Sequence, residues 1–214
     1  TSGYASGGWT STFSDVIEKF PFSSGTSGTD VGDMTSARTV AAGQSSADNG
    51  YISGGAFGGI IEKFPFASDG NSASVGNLFN DRGYAAGQNS SSHGYNSGGY
   101  DRSGAGVGSL NIIEKFTFAS DNNGTDVGDL TLARQSPAGQ SSADNGYASG
   151  GWPTDAIDKF PFSSDSNSTD IGDLTLLRTR AAGQSSSANG YTSGGFSSPS
   201  TMSDTIDKFP FSSD

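Results

Sequence analysis

Gly50-Tyr51-Ile52-Ser53-Gly54-Gly55, Ile60-Ile61-Glu62-Lys63-Phe64-Pro65-Phe66, Val75-Gly76-Asn77-Leu78, Arg82 and Ala85-Ala86-Gly87-Gln88 form one unit, and the chain writes it nearly five times. Gly-Tyr-x-Ser-Gly-Gly begins at Gly3, Gly50, Gly94, Gly146 and Gly190, at spacings of 47, 44, 52 and 44 residues. The segment ending in Lys-Phe-x-Phe recurs at 16–22, 60–66, 112–118, 156–162 and 205–211. Val/Ile-Gly-Asp/Asn-Leu/Met recurs at 31–34, 75–78, 127–130 and 171–174, and Ala/Pro-Ala-Gly-Gln at 41–44, 85–88, 137–140 and 181–184. No segment carries helical periodicity. The paired Phe residues sit two apart, on one face of a strand. Pro between them in four copies predicts an outer or irregular strand. Asn-Gly before Tyr51, Tyr147 and Tyr191 predicts a type I′ hairpin joining the Ala-Gly-Gln and Gly-Tyr-x-Ser strands.

Four short strands per 44 or so residues is the arithmetic of a β-propeller blade. Wedge-shaped blades need small side chains near the axis and large ones outside, which places the Ala-Ala-Gly strand innermost and the Phe and Leu strands further out. The double Gly, the acid-x-aromatic strand (Glu62, Phe64) and the closing Arg resemble the kelch repeat. Gly-Asp-Leu stands where kelch usually has a Trp on the outer strand. The near-identical copies also look like repeats in proteins of marine phages and bacteria. The resemblance implies an all-β, five-bladed β-propeller of four-stranded blades, lettered A to D from inside out. The first blade lacks strand A and the last lacks strand D. The single domain spans 1–214, with repeats at about 1–40, 41–84, 85–136, 137–180 and 181–214, and reads as a fragment of a longer chain. Open edge strands predict self-association.

Composition narrows the chemistry. The chain has 214 residues, 33 Gly, 39 Ser, no Cys and one His, with net charge −11. Without Cys, neither a disulfide framework nor a thiolate site can be built. The acidic balance argues against a nucleic-acid partner, and no apolar run is long enough to insert in a membrane. No cofactor or metal is expected. Asp30-x-x-Asp33, Asp126-x-x-Asp129 and Asp170-x-x-Asp173 offer too few oxygens for calcium and read as turns. His93 reads as a turn residue. Symmetric repetition argues against an enzyme, since catalysis needs asymmetric roles in one pocket.

Two sets of residues stand out. Glu18, Glu62, Glu114, Asp158 and Asp207 share a strand face with the Phe pairs and need partners, which Arg38, Arg82, Arg134 and Arg178 can supply as structural ion pairs. Lys19, Lys63, Lys115, Lys159 and Lys208 point the other way and read as solvated. All variation in repeat length falls in the B–C loops at 9–15, 56–59, 100–111, 152–155 and 196–204, on the same face as the D–A loops. Trp9, Phe57, Tyr100, Trp152 and Phe196 mark those loops, either as ligand platforms or as lids on the blade cores. Tyr100, with Asp101 and Arg102 on the longest loop, is the aromatic expected to be most exposed. The leading expectation is a non-enzymatic module binding a glycan or a protein surface through this face, extracellular or on a virion. A structural spacer and an intracellular kelch-type adaptor are the alternatives. Asn89, Asn123 and Asn167 fit the N-glycosylation pattern.

Overall fold

The computed structural model describes residues 2–56, 58–101, 103, 107–197 and 201–212. It is all-β, with six antiparallel sheets and no helix among the described residues. Sheet 1 joins Ser2–Trp9, Phe13–Pro21 and Thr29–Asp33. Sheet 2 joins Ala42–Ser45, Asn49–Ser53, Ile60–Pro65 and Ala73–Asn77, and sheet 4 repeats it with Ala138–Ser141, Asn145–Ser149, Ala156–Pro161 and Thr169–Asp173. Sheet 3 has the same four members, Ala86–Asn89, His93–Ser97, Gly108–Thr117 and Thr125–Arg134, extended by Arg82–Gly83 and Tyr100–Asp101. Sheet 5 comprises Ala182–Ser185, Asn189–Ser193 and Ile206–Pro210. A small sixth sheet pairs Arg178–Thr179, Phe196–Ser197 and Thr201–Met202.

Sheets 2, 3 and 4 are buried on both faces because each face serves a different neighbour. Ile61, Tyr51 and Leu78 of sheet 2 pack against Phe116 and Phe118 of sheet 3. The same set recurs between sheets 1 and 2 (Ile17, Met34 against Phe64), 3 and 4 (Ile113, Leu130 against Phe160), and 4 and 5 (Ile157, Leu174 against Phe209). In every case a Tyr ring stacks on the second Phe of the next sheet: Tyr4 on Phe66 at 4.9 Å, Tyr51 on Phe118 at 4.6 Å, Tyr95 on Phe162 at 4.8 Å, and Tyr147 on Phe211 at 4.8 Å. Such pairs add about 0.5–1.5 kcal/mol beyond the area they bury.

The inner strands approach much more closely. A Cβ added to Gly87 would run into the carbonyl of Gly43, one at Gly139 into Gly87, and one at Gly183 into Gly139. Only glycine permits this backbone contact. Buried glutamines stitch the same strands together. Gln44 donates to the Tyr95 carbonyl at 2.9 Å, Gln88 to that of Tyr147 at 2.8 Å and Gln140 to that of Tyr191 at 3.0 Å. Small side chains thus lie where sheets converge and large ones where they diverge, as the packing argument requires.

Three expectations need correction. The Phe-bearing strand is interior and not an outer one, but it is irregular as Pro predicts: Pro65 pairs only on its inner side, and the outer neighbour, bulged between Ile61 and Glu62, pairs only as far as Lys63. The Asn-Gly pair does not form a type I′ turn. Asn49 and Gly50 already lie in a strand without positive φ, and the reversal is closed by Ser46 N–H donating to the Asn49 carbonyl at 2.9 Å. Gly50 is required because the Phe64 ring lies where its Cβ would be. Finally, among the described residues, three of the five lysines are paired across repeats: Lys19 with Asp69 at 2.9 Å, Lys63 with Asp121 at 2.7 Å and Lys115 with Asp165 at 2.5 Å.

The outer faces of the first and last sheets are exposed. Phe22 is 68% exposed, and Glu18 and Phe20 are exposed beside it. In sheet 5 all of Ala182–Ser185 is exposed, as is Ile206, and so is Met202 of the sixth sheet.

Candidate functional site

Construction of the site begins at the double glycines. Gly8, Gly55, Gly99 and Gly151 each donate a backbone hydrogen bond to the carbonyl of Arg38, Arg82, Arg134 or Arg178, at 2.9–3.0 Å. The main chain of each Arg is thereby fixed on its own repeat while its guanidinium reaches the next. Arg38 pairs with Glu62 at 3.1 Å, Arg82 with Glu114, Arg134 with Asp158 at 3.0 Å and Arg178 with Asp207 at 2.7 Å. The side chains are almost entirely buried. Asp158 also accepts from Thr131 N–H at 2.8 Å, Thr131 hydroxyl at 2.7 Å and Ser168 hydroxyl at 3.1 Å. Burial lowers the affinity of Arg134 for its proton, and Asp158 opposes that. These groups are consumed by structure. Glu18 alone of the series is exposed and has no Arg partner among the described residues.

Two residues beyond each of these Arg, the chain turns into the next inner strand. Val40, Tyr84, Ser136 and Arg180 occupy that position, with φ of 56°, 60°, 57° and 55°. These are the only non-glycine residues with positive φ among those described. Such a conformation is uncommon for any side chain and an outlier for a β-branched one. Backbone hydrogen bonds link them in sequence: Tyr84 N–H to Val40 O at 2.9 Å, Ser136 N–H to Tyr84 O at 2.8 Å, and Arg180 N–H to Ser136 O at 3.2 Å. All four line one cavity of about 530 Å³, with Trp9 and Phe13 from sheet 1. The first four repeats therefore contribute to this cavity. Trp9, 62% exposed, meets Phe13 edge-on at 5.0 Å, and the Arg180 guanidinium lies over Tyr84 at 5.6 Å and Phe196 at 6.0 Å.

The residues singled out in the sequence are divided by the structure. Trp9 lines the cavity, and Phe196 borders it through Arg180. Tyr100 is half-buried in a short strand and lines a neighbouring cleft of about 290 Å³, which shares Tyr84 with the cavity. It is thus less exposed than Trp9 or Trp152, against expectation, because Tyr100–Asp101 and the residues from Gly108 onward pair as strands. Asp101 is buried, and hydrogen bonds from the Ser103 hydroxyl and N–H hold its carboxyl below the usual range. Trp152 is 48% exposed but its backbone pairs with Gln135, outside the cavity lining. Phe57 and Arg102 lie outside the described residues. The Val40, Tyr84, Ser136 and Arg180 series was missed. Its signal was a column of four unlike residues amid near-identical repeats.

His93 sits in its turn, its Nδ1 at 2.8 Å from the Ser92 hydroxyl. Asp30, Asp126 and Asp170 each accept from the glycine N–H two residues on, at 2.9–3.1 Å. No group of three or more metal-ligating side chains occurs among the described residues, and no helix is long and apolar enough to cross a membrane. No protein-family model matches the chain, and no curated protein matches it.

Proposed function

We propose that the chain is a kelch-like β-propeller serving as a non-enzymatic binding module, with a glycan as its ligand on the face carrying the B–C and D–A loops. The observation that supports this most directly is the axial cavity. Its rim position differs in each of the four repeats that supply it while the surrounding scaffold barely changes, and its backbone is held at positive φ. Strained positions on a rigid frame are a feature of ligand sites. The size lies within the range of small-molecule pockets, and Trp9, Phe13 and Tyr84 supply aromatic surface for a sugar ring. The repeated acids and arginines are spent on one another, which leaves no repeated pair for acid–base work. A glycan-facing module of this kind would act outside the cell or on a virion. The test is a glycan-array screen of folded protein, with hits titrated by Trp fluorescence. A saturable hit lost in Trp9→Ala supports the reading, and a blank array refutes it.

A second reading, a repeat-built spacer or assembly unit, draws on a different observation. Sheet 1 exposes the Phe20 and Phe22 face that every later sheet buries under a Tyr from its predecessor, and Tyr191 of sheet 5 has no following Phe pair. Copies could stack end to end by repeating the interior contact. Sedimentation velocity of wild type and Phe22→Asp tests it: concentration-dependent association abolished by the substitution supports assembly, and a monomer at all concentrations removes it.

A further inference from the structure

We infer that the axial cavity selects a carboxylate-bearing sugar, with Arg180 as the group that reads the charge; this rests on the glycan-binding reading above. In a chain of net charge −11, the cavity lining contains, among the described residues, no carboxylate and one cation, Arg180. The other arginines of the described residues are buried in ion pairs. Arg180 is exposed, and its guanidinium has neither a carboxylate nor a hydrogen-bond partner among the described residues.

The position does not call for arginine on backbone grounds. Val, Tyr and Ser occupy the equivalent places in the other repeats with the same φ. What distinguishes Arg180 is where its side chain goes: onto Tyr84, two repeats earlier, and Phe196. Aromatic contact of this kind holds the planar group over the cavity instead of leaving it free in solvent. With no hydrogen-bond partner among the described residues, the five N–H donors of the guanidinium are left for a ligand. A planar fork of donors matches a carboxylate by two parallel hydrogen bonds. With Trp9 and Phe13 on the same cavity wall to cover the apolar face of a pyranose, the ligand that satisfies both features is a sugar ring bearing a carboxylate.

The experiment compares methyl glucuronide, methyl glucoside and acetate, titrated into wild type, Arg180→Gln and Arg180→Lys. Arg180 is exposed, so the variants keep the fold, checked by unchanged circular dichroism. Wild type is expected to bind the glucuronide about ten- to a hundredfold more tightly than the glucoside, the range for a hydrogen bond to a charged group. Arg180→Gln should reduce glucuronide binding to the glucoside level, and Arg180→Lys should fall between. Equal binding of the two sugars by wild type, or glucuronide binding untouched by Arg180→Gln, overturns the inference and leaves the binding module standing. Acetate binding as tight as the glucuronide also overturns it, since the ring would contribute nothing. If neither methyl sugar binds, the inference fails, and a blank glycan array would take the proposed function with it.

Discussion

Removing Arg134 tests how the repeats are joined, because the chain contains its own control. Arg134 and Asp158 have side chains with no solvent exposure and meet at 3.0 Å. Arg134 also donates to the Ala156 carbonyl at 2.9 Å and the Leu132 carbonyl at 3.2 Å. In Arg134→Met, Asp158 stays buried with only Thr131 and Ser168 to satisfy it. Breaking a buried pair from one side costs about 3–5 kcal/mol, because an uncompensated charge remains. That is a large part of the roughly 5–15 kcal/mol that stabilises a typical domain. Glu18 has the same place in its strand as Asp158 but is exposed without an Arg, so Glu18→Gln is expected to leave the midpoint unchanged. Replacing both partners, Arg134→Met with Asp158→Leu, should recover at least half the loss. Urea unfolding followed by far-UV circular dichroism and by Trp fluorescence reads all three. Two probes are needed because repeat arrays can unfold in stages. An Arg134→Met cost below about 1 kcal/mol, or a Glu18→Gln effect equal to it, would refute the reasoning.

Other predictions follow from the same geometry. Gly87→Ala should destabilise by roughly 2–3 kcal/mol through overpacking, since its Cβ meets the Gly43 carbonyl, whereas Gly43→Ala, with nothing within 4 Å, should be close to neutral in the same urea melts. Ser136→Gly should stabilise by about 0.5–1 kcal/mol, as relief of the left-handed strain outweighs the added entropy of the unfolded chain; destabilisation in thermal melts would count against strain at that rim. Burial, aided by the charge of Asp165, pushes the Tyr95 hydroxyl up to about 12. Its stabilising contribution is complete below the ordinary value near 10 and is lost as pH rises towards 12. Burial also raises Tyr51, so a 295 nm titration should show a late-ionising phase that loses one tyrosine in Tyr95→Phe.

The strands were legible because each apolar segment returns four or five times, so an ambiguous stretch in one copy is resolved by the others. The partners of the acids were legible for a similar reason: a buried carboxylate demands a cation, and one Arg per repeat was on offer. Contacts across repeats were harder to see. Lys63 and Asp121 lie 58 residues apart, and nothing local to Lys63 announces the bridge. The Asn49-Gly50 turn was misjudged because glycine has two uses, and here room for the Phe64 ring outweighs backbone freedom. The axial residues escaped because repetition directs the eye to what is constant. Val40, Tyr84, Ser136 and Arg180 are conspicuous only once the backbone places them around one cavity.

The forward reach of Arg, Gln and Tyr from each sheet to the next gives the array a grammar with a direction. A unit offers a cation, an amide and a ring on one side, and presents an acid, a carbonyl and a Phe pair on the other. Two units can meet in only one order, so an inverted neighbour finds no complement. Length, by contrast, is left free. A duplicated repeat inserted between sheets 2 and 3 would meet familiar chemistry at both of its surfaces, which is the condition under which such a gene can grow or shrink by whole units without losing its core.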